Sequence, residues 1–194
     1  MFAPRLILAS GSPRRKSLLR EAGYVFVVAP ADIDEETYPP NLLPAAIAEF
    51  LAVAKAELIA NRFPHDVTLA ADTVVALGDQ QLGKPRDAEH AREMLTMLCG
   101  TTHQAITGVC VMRPATRWRK SVIVTSTVQM RILTATEIDQ YVAGGQWEGK
   151  AGSYGIQDDD PFVTRIAGST SNIVGLPIEA TAELLTAAGI HPVV

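Results

Sequence analysis

The segment Ser10-Gly11-Ser12-Pro13-Arg14-Arg15 places two guanidinium groups directly after a glycine-containing turn. Where a helix starts at such a point, its exposed N–H groups favour an anion, and the arginine forks match phosphate oxygens. The same residues also spell an ordinary capped helix with surface arginines, Ser12 being the cap and Pro13 the first position. Asp72 follows an apolar run at 67–71 and precedes Thr73. A carboxylate at the end of a buried strand can ligate a divalent metal or accept a proton, and a turn-forming aspartate is the simpler alternative. Lys84, pinned between Gly83 and Pro85, is held more rigidly than a solvated lysine. Lys55 stands among Leu51, Ala52, Ala56 and Ile59, where a lysine snorkelling from an apolar face is the simpler account. Glu35, close to Asp32, Asp34 and Glu36, is either a further metal oxygen or part of a solvated charge cluster.

Other reactive residue types are set aside on spacing. Asp158, Asp159 and Asp160 are consecutive loop residues pointing in different directions, and are read as solvated. His65, His90, His103 and His191 stand in different elements without metal spacing and receive no catalytic role. The serines lack the G-x-S-x-G setting of acyl transfer. Cys99 and Cys110 fit neither a disulfide framework nor a zinc motif and are assigned to packing.

Positioning these groups requires strands and helices in alternation. Residues 6–9 read as a buried strand, and the helix after Ser12 carries Leu18, Leu19 and Ala22 before Gly23 stops it. A strand at 24–29, a proline-rich acidic loop at 30–44 and a helix at 45–62 follow. The strand at 67–71 is expected to end at Asp72-Thr73, with a hairpin at 74–82 around Gly78-Asp79. Asp87 caps a helix reaching 98. Strands at 105–112 and 121–132 are read as antiparallel neighbours joined by a basic connection containing Arg117. Thr134 and Glu137 form a capping box for a helix to 142. A long loop at 144–161, a strand at 162–166 and a helix at 177–188 complete an α/β pattern with a mixed sheet.

Composition narrows the partners. A chain of 194 residues, 47% hydrophobic and 20% charged, offers ample apolar surface for one domain spanning 1–194. The net charge of −4 and the absence of a Lys/Arg run exclude tracking of a nucleic-acid polymer, so any phosphate must be held locally. No apolar stretch is long enough for a membrane span, and the first ten residues do not fit a signal sequence, so the expected location is cytoplasmic.

Five stretches in order resemble the Maf family of nucleotide pyrophosphatases: LILASGSPRRKSLL at 6–19, AADTVV at 70–75, GKPRDAEHA at 83–91, KAGSYGIQ at 150–157 and NIVGLP at 172–177. The resemblance implies a long bent mixed sheet with flanking helices and two lobes around a cleft, similar to the inosine triphosphate pyrophosphatases. It implies water attack on the α-phosphorus of a nucleoside triphosphate, giving the monophosphate and pyrophosphate. Asp72 then falls on the proton acceptor, Ser10, Arg14, Arg15, Lys55 and Lys84 on phosphate-holding positions, and Asp72 with Glu35 on the ligands of a divalent cation, Mg²⁺ or Mn²⁺. Arg14, Thr73 and Gln157 match the branch acting on dTTP and UTP at its substrate-specifying positions. A branch acting on 7-methyl-GTP, a broader nucleotide specificity and a nucleotide-binding regulator of cell division without turnover are the competing expectations, and the family leaves room for a homodimer. The chain departs from the family pattern at Phe50 and Ala54 ahead of Lys55, at Thr170-Ser171, and at the three aspartates after Gln157, where glycines are common.

Overall fold

The computed structural model describes residues 4–158 and 162–193. The chain runs β1 (Leu6–Leu8), α1 (Pro13–Glu21), β2 (Val27–Val28), α2 (Pro44–Ala60), β3 (Val67–Leu77), β4 (Gln80–Leu82) and α3 (Ala88–Leu98). It continues through β5 (Thr102–Arg113), β6 (Trp118–Met130), α4 (Ala135–Ala143), β7 (Val163–Ala167), α5 (Thr170–Val174) and α6 (Ile178–Ala187). The expected helix starts hold: the Ser12 hydroxyl accepts from Arg15 N–H, Asp87 from His90 N–H, and Thr134 with Glu137 closes a full capping box.

Two strand expectations are corrected. The second strand spans only two residues, and its edge carries exposed Val27 and Val28. The third does not stop at Asp72-Thr73 but runs straight through them, because Thr73, Val74 and Val75 continue the β-branched pattern and pair with β5 from Thr68–Met112 to Ala76–Gln104. The turn at Gly78, at φ 60°, then returns the chain as β4, as the hairpin reading expected. Helix α5 was not anticipated, since its five residues are too few to show a period.

The sheet order is β2-β1-β3-β5-β6-β7, with β4 pairing the far end of β3 on the side that β1 occupies at its start. Strands β1, β2 and β3 are parallel, and the remaining pairs are antiparallel. The fold is therefore mixed α/β, with side chains alternating between two covered faces. Leu6, Leu8, Leu69, Ala71, Val109 and Val111 pack with Leu19 of α1 and Leu184 and Leu185 of α6. Ile7, Ala70 and Cys110 pack on the other face against Ala52, Ala56 and Ile59 of α2. No described helix is long and apolar enough to cross a membrane.

Two details place the site. On the side of β3 shared by β1 and β4, β1 pairs only as far as Leu69 and β4 pairs only from Val75 onward, so the stretch containing Asp72 and Thr73 has an open edge between them. Helix α2 also lies very close to the sheet. Its inward face is alanine-rich, and Gly108 on β5, directly opposite Asp72, faces the backbone of Ala48; a Cβ on Gly108 would stand 2.4 Å from the Ala48 carbonyl oxygen.

Gly108→Ala must push α2 off the sheet, since backbone and not a flexible side chain blocks the methyl. It is expected to cost about 1–3 kcal/mol, read as a fall in Tm of roughly 3 °C or more for a chain of this size. A variant melting with the wild type would contradict the close approach.

Candidate active site

Lys55 projects from the alanine face of α2 with only 5% of its side chain exposed. An ammonium so buried needs partners, and two carboxylates supply them: Nζ lies 2.5 Å from Asp72 Oδ1 and 2.6 Å from Glu35 Oε1. The second Glu35 oxygen, Oε2, accepts from Lys84 Nζ at 2.5 Å. Asp72, Lys55, Glu35 and Lys84 thus form one chain of alternating charge leading from the sheet toward solvent, where the Lys84 side chain is half exposed. The snorkelling reading of Lys55 and the solvated reading of Glu35 are both replaced by this pairing.

The next residue on β3 faces the other way. Thr73 Oγ1 accepts from Arg15 Nη2 at 3.1 Å and shares a hydrogen bond of 2.9 Å with Thr107 Oγ1, its cross-strand partner. Arg15 also donates through Nε to the Gly175 carbonyl at 2.8 Å and through Nη1 to Ser10 Oγ at 3.4 Å. Ser10 Oγ accepts from Ser12 N–H as well, so it shapes the turn. Because β3 is open at this point, groups from both of its faces meet in one cleft of about 500 Å³. All nine residues singled out from the sequence line it: Ser10, Arg14, Arg15, Glu35, Lys55, Asp72, Thr73, Lys84 and Gln157. Gln157 stands on the far wall with Gly149, Lys150 and Tyr154, and Arg14 Nη2 spans the two walls to the Gly149 carbonyl at 2.7 Å.

Burial sets the proton affinities. It pushes the Asp72 carboxyl above the usual aspartate range, with Lys55 and Arg15 pulling the other way. Burial acts on Glu35 in the same sense, but Lys55 and Lys84 together overcome it and hold that carboxyl at about 2. Burial weakens proton binding by Arg14 and Arg15 without bringing an arginine near neutrality. The cleft therefore combines cations with one buried carboxylate of raised basicity. Among the described residues no group of three or more His, Cys, Asp or Glu converges as a metal cage. Two carboxylates beside this cation-lined cleft nevertheless fit a hard divalent cation of the Mg²⁺ kind, which takes one or two protein carboxylates and completes its shell with water and substrate phosphate.

The sequence reading missed three residues. Asp158 is not solvated: its side chain is 14% exposed and accepts from Lys150 Nζ at 2.5 Å and from the Tyr141 hydroxyl at 2.7 Å. Asp159 and Asp160 lie outside the described residues. Thr107 and Asn172 buttress Thr73: Thr107 Oγ1 donates to the Asn172 carbonyl, and Asn172 Nδ2 to Ala105 O and Ser126 Oγ. Asn172 begins a motif recognised in the sequence, whereas Asp158 and Thr107 carried no signal beyond their types. His103 is buried against Tyr154, sharing a 2.8 Å hydrogen bond, and its imidazole is pushed down to about 4 by burial. Cys110 is buried in the α2 interface and its thiol pushed up to about 12, which matches a packing role.

Such a cleft, open at a strand edge and lined by lysines and arginines around one buried carboxylate, is built for a small polyanion. The chain belongs to the Maf family, whose model, described as Maf-like protein, matches residues 5–188. It is 46% identical over 191 residues to a dTTP/UTP pyrophosphatase of Anaeromyxobacter dehalogenans (strain 2CP-C), covering 97% of this chain and 96% of that one. It is 45% identical to a dTTP/UTP pyrophosphatase of Myxococcus xanthus (strain DK1622), covering 95% and 93%. A solved nucleoside-triphosphatase / dITP/XTP pyrophosphatase from Mycobacterium abscessus aligns over 95% of this chain and 97% of its own at 13% identity and a TM-score of 0.46; the family assignment rests on the sequence matches and not on that likeness.

Removing the central ammonium should cost more than removing a charge it holds. Lys55→Met leaves Asp72 buried beside Glu35 without its hydrogen-bonded ion-pair partner and is expected to lose about 3–5 kcal/mol of stability. Asp72→Asn keeps an oxygen for Lys55 and should lose distinctly less. Urea unfolding of both variants checks the order, and equal losses would contradict it.

Proposed function

We propose that the protein hydrolyses dTTP and UTP to the nucleoside monophosphate and pyrophosphate, acting on free cytoplasmic nucleotides. The observation that carries this reading is the Asp72–Lys55–Glu35–Lys84 chain facing Arg14 and Arg15 across one cleft. The names of the similar proteins support it over nearly the whole length.

The chemistry follows from the charges. A triphosphate enters with its oxygens toward Arg14, Arg15 and Lys84, whose forks and ammonium supply charge-assisted hydrogen bonds. Asp72, made more basic by burial, takes a proton from the attacking water. The water oxygen bonds to the α-phosphorus, the bond from that phosphorus to the bridging oxygen breaks, and the electron pair leaves on pyrophosphate. Lys55 keeps Asp72 oriented and stabilises its ionised form before the proton arrives. A divalent cation, Mg²⁺ or Mn²⁺, held by Asp72 and Glu35 would neutralise developing phosphoryl charge.

Base choice falls to the far wall. The amide of Gln157 can accept from the N3–H of uracil or thymine and donate to a ring carbonyl. Thr73, engaged by Arg15 and Thr107, acts on specificity through the arginine it fixes.

Asp72→Asn is expected to lower kcat on dTTP and UTP by about 10²- to 10⁴-fold, because an amide cannot accept the proton. The check is steady-state release of pyrophosphate from a panel of nucleoside triphosphates with added Mg²⁺. Retention of more than about a third of the wild-type rate would remove Asp72 from the mechanism.

A further inference from the structure

The wall that carries Gln157 is tied down by a network that the reaction itself does not use. Residues 149–158 carry no strand and only one short 3-10 turn at Ala151–Ser153, and tight glycines, among them Gly149 and Gly152 at positive φ, let the chain fold back on itself. Asp158 closes the loop. Its carboxylate accepts from Lys150 at one oxygen and from the Tyr141 hydroxyl at the other, and its N–H donates to the Gly155 carbonyl at 3.3 Å. Gly155 is the point of convergence: a Cβ there would meet Asp158 Oδ1 and Gln157 Nε2 at 2.7 Å each and Lys150 Nζ at 2.9 Å. The Gln157 amide, the Asp158 carboxylate and the Lys150 ammonium therefore crowd around one side-chain-free spot.

The anchor of this network is rigid. Tyr141 sits on α4, which starts with a full capping box, and its ring packs edge-on against Phe162 at 4.7 Å between centroids. Lys150 Nζ lies 5.9 Å from the centre of the same ring. The phenolic O–H reaches out of this cluster to the loop and donates to Asp158.

We propose that Tyr141, Lys150 and Asp158 form a positioning network that fixes Gln157 against the pyrimidine edge, and that Asp158 also neutralises Lys150 so that the ammonium does not compete for the nucleotide's oxygens. The inference rests on the reading of Gln157 as the base contact. None of the three is a catalytic residue: each acts on base recognition through the place it gives to Gln157. Loss of the network lets the amide turn away from the base, which weakens binding of dTTP and UTP while leaving the proton acceptor, Arg15 and Lys84 in place. Freed from Asp158, Lys150 becomes an unselective donor in the cleft, favouring any nucleotide with a suitable acceptor.

Two variants separate this from a structural role. Tyr141→Phe keeps the ring and its packing but removes the one O–H donor, and Asp158→Asn keeps the size of the side chain but removes the charge that holds Lys150. The measurement is kcat and KM for dTTP, UTP and GTP in wild type, Tyr141→Phe, Asp158→Asn and Gln157→Glu, with the Tm of each. Both network variants should raise KM for dTTP and UTP by about 5- to 30-fold, the scale of one or two lost hydrogen bonds. The change in kcat should stay within about twofold, and the preference for dTTP over GTP should fall in step with that of Gln157→Glu. Unchanged KM in both variants, or a parallel loss of kcat on all three nucleotides, would overturn the network's role. If the wild type fails to turn over dTTP and UTP, or Gln157→Glu leaves the preference intact, the fault lies in the functional reading beneath it.

Discussion

A buried ammonium sits between two carboxylates, and the positions of the other site residues follow from holding it there. Lys55 is taken out of water by α2, and without Asp72 and Glu35 at 2.5 and 2.6 Å its charge would be too costly to keep. Those contacts are made only if α2 comes down onto the sheet. The alanines at 48, 52 and 56 and the glycine at 108 remove the side chains that would hold the helix away. Packing and chemistry are thus one constraint: the small residues that bring helix and sheet together also bring the lysine to the aspartate.

The second constraint is the gap in the sheet. Neighbouring residues of a strand point to opposite faces, so Asp72 and Thr73 ought to serve different environments. Asp72 meets Lys55 on one face and Thr73 meets Arg15 on the other. They line one cleft because β1 ends before them and β4 pairs only after them, leaving the edge of β3 open to the turn at Ser10–Arg15. Burial then raises the basicity of Asp72, while Glu35 stays anionic between its two lysines.

Much of this was legible in the residues. Helix starts marked by Ser12, Asp87 and the Thr134–Glu137 pair were readable because capping is local chemistry. The nine site residues share one cleft, yet their convergence was carried by resemblance and not by spacing, since an isolated Asp72 or Lys55 has an ordinary structural alternative. What stayed hidden depends on contacts distant in the chain. The continuation of β3 through Asp72 is fixed by its pairing with β5, and Thr107 earns its role only from that register. Asp158 reads as solvated loop in the sequence because the hydroxyl that donates to it, on Tyr141, stands seventeen residues earlier.

The central claim is that this cleft directs water onto the α-phosphorus of a pyrimidine triphosphate. Hydrolysis of UTP in water enriched in oxygen-18, with the products separated and weighed by mass spectrometry, tests it most directly. The account predicts the label in UMP and none in pyrophosphate. Label in pyrophosphate, or in inorganic phosphate released beside UDP, would place the attack on another phosphorus and contradict it.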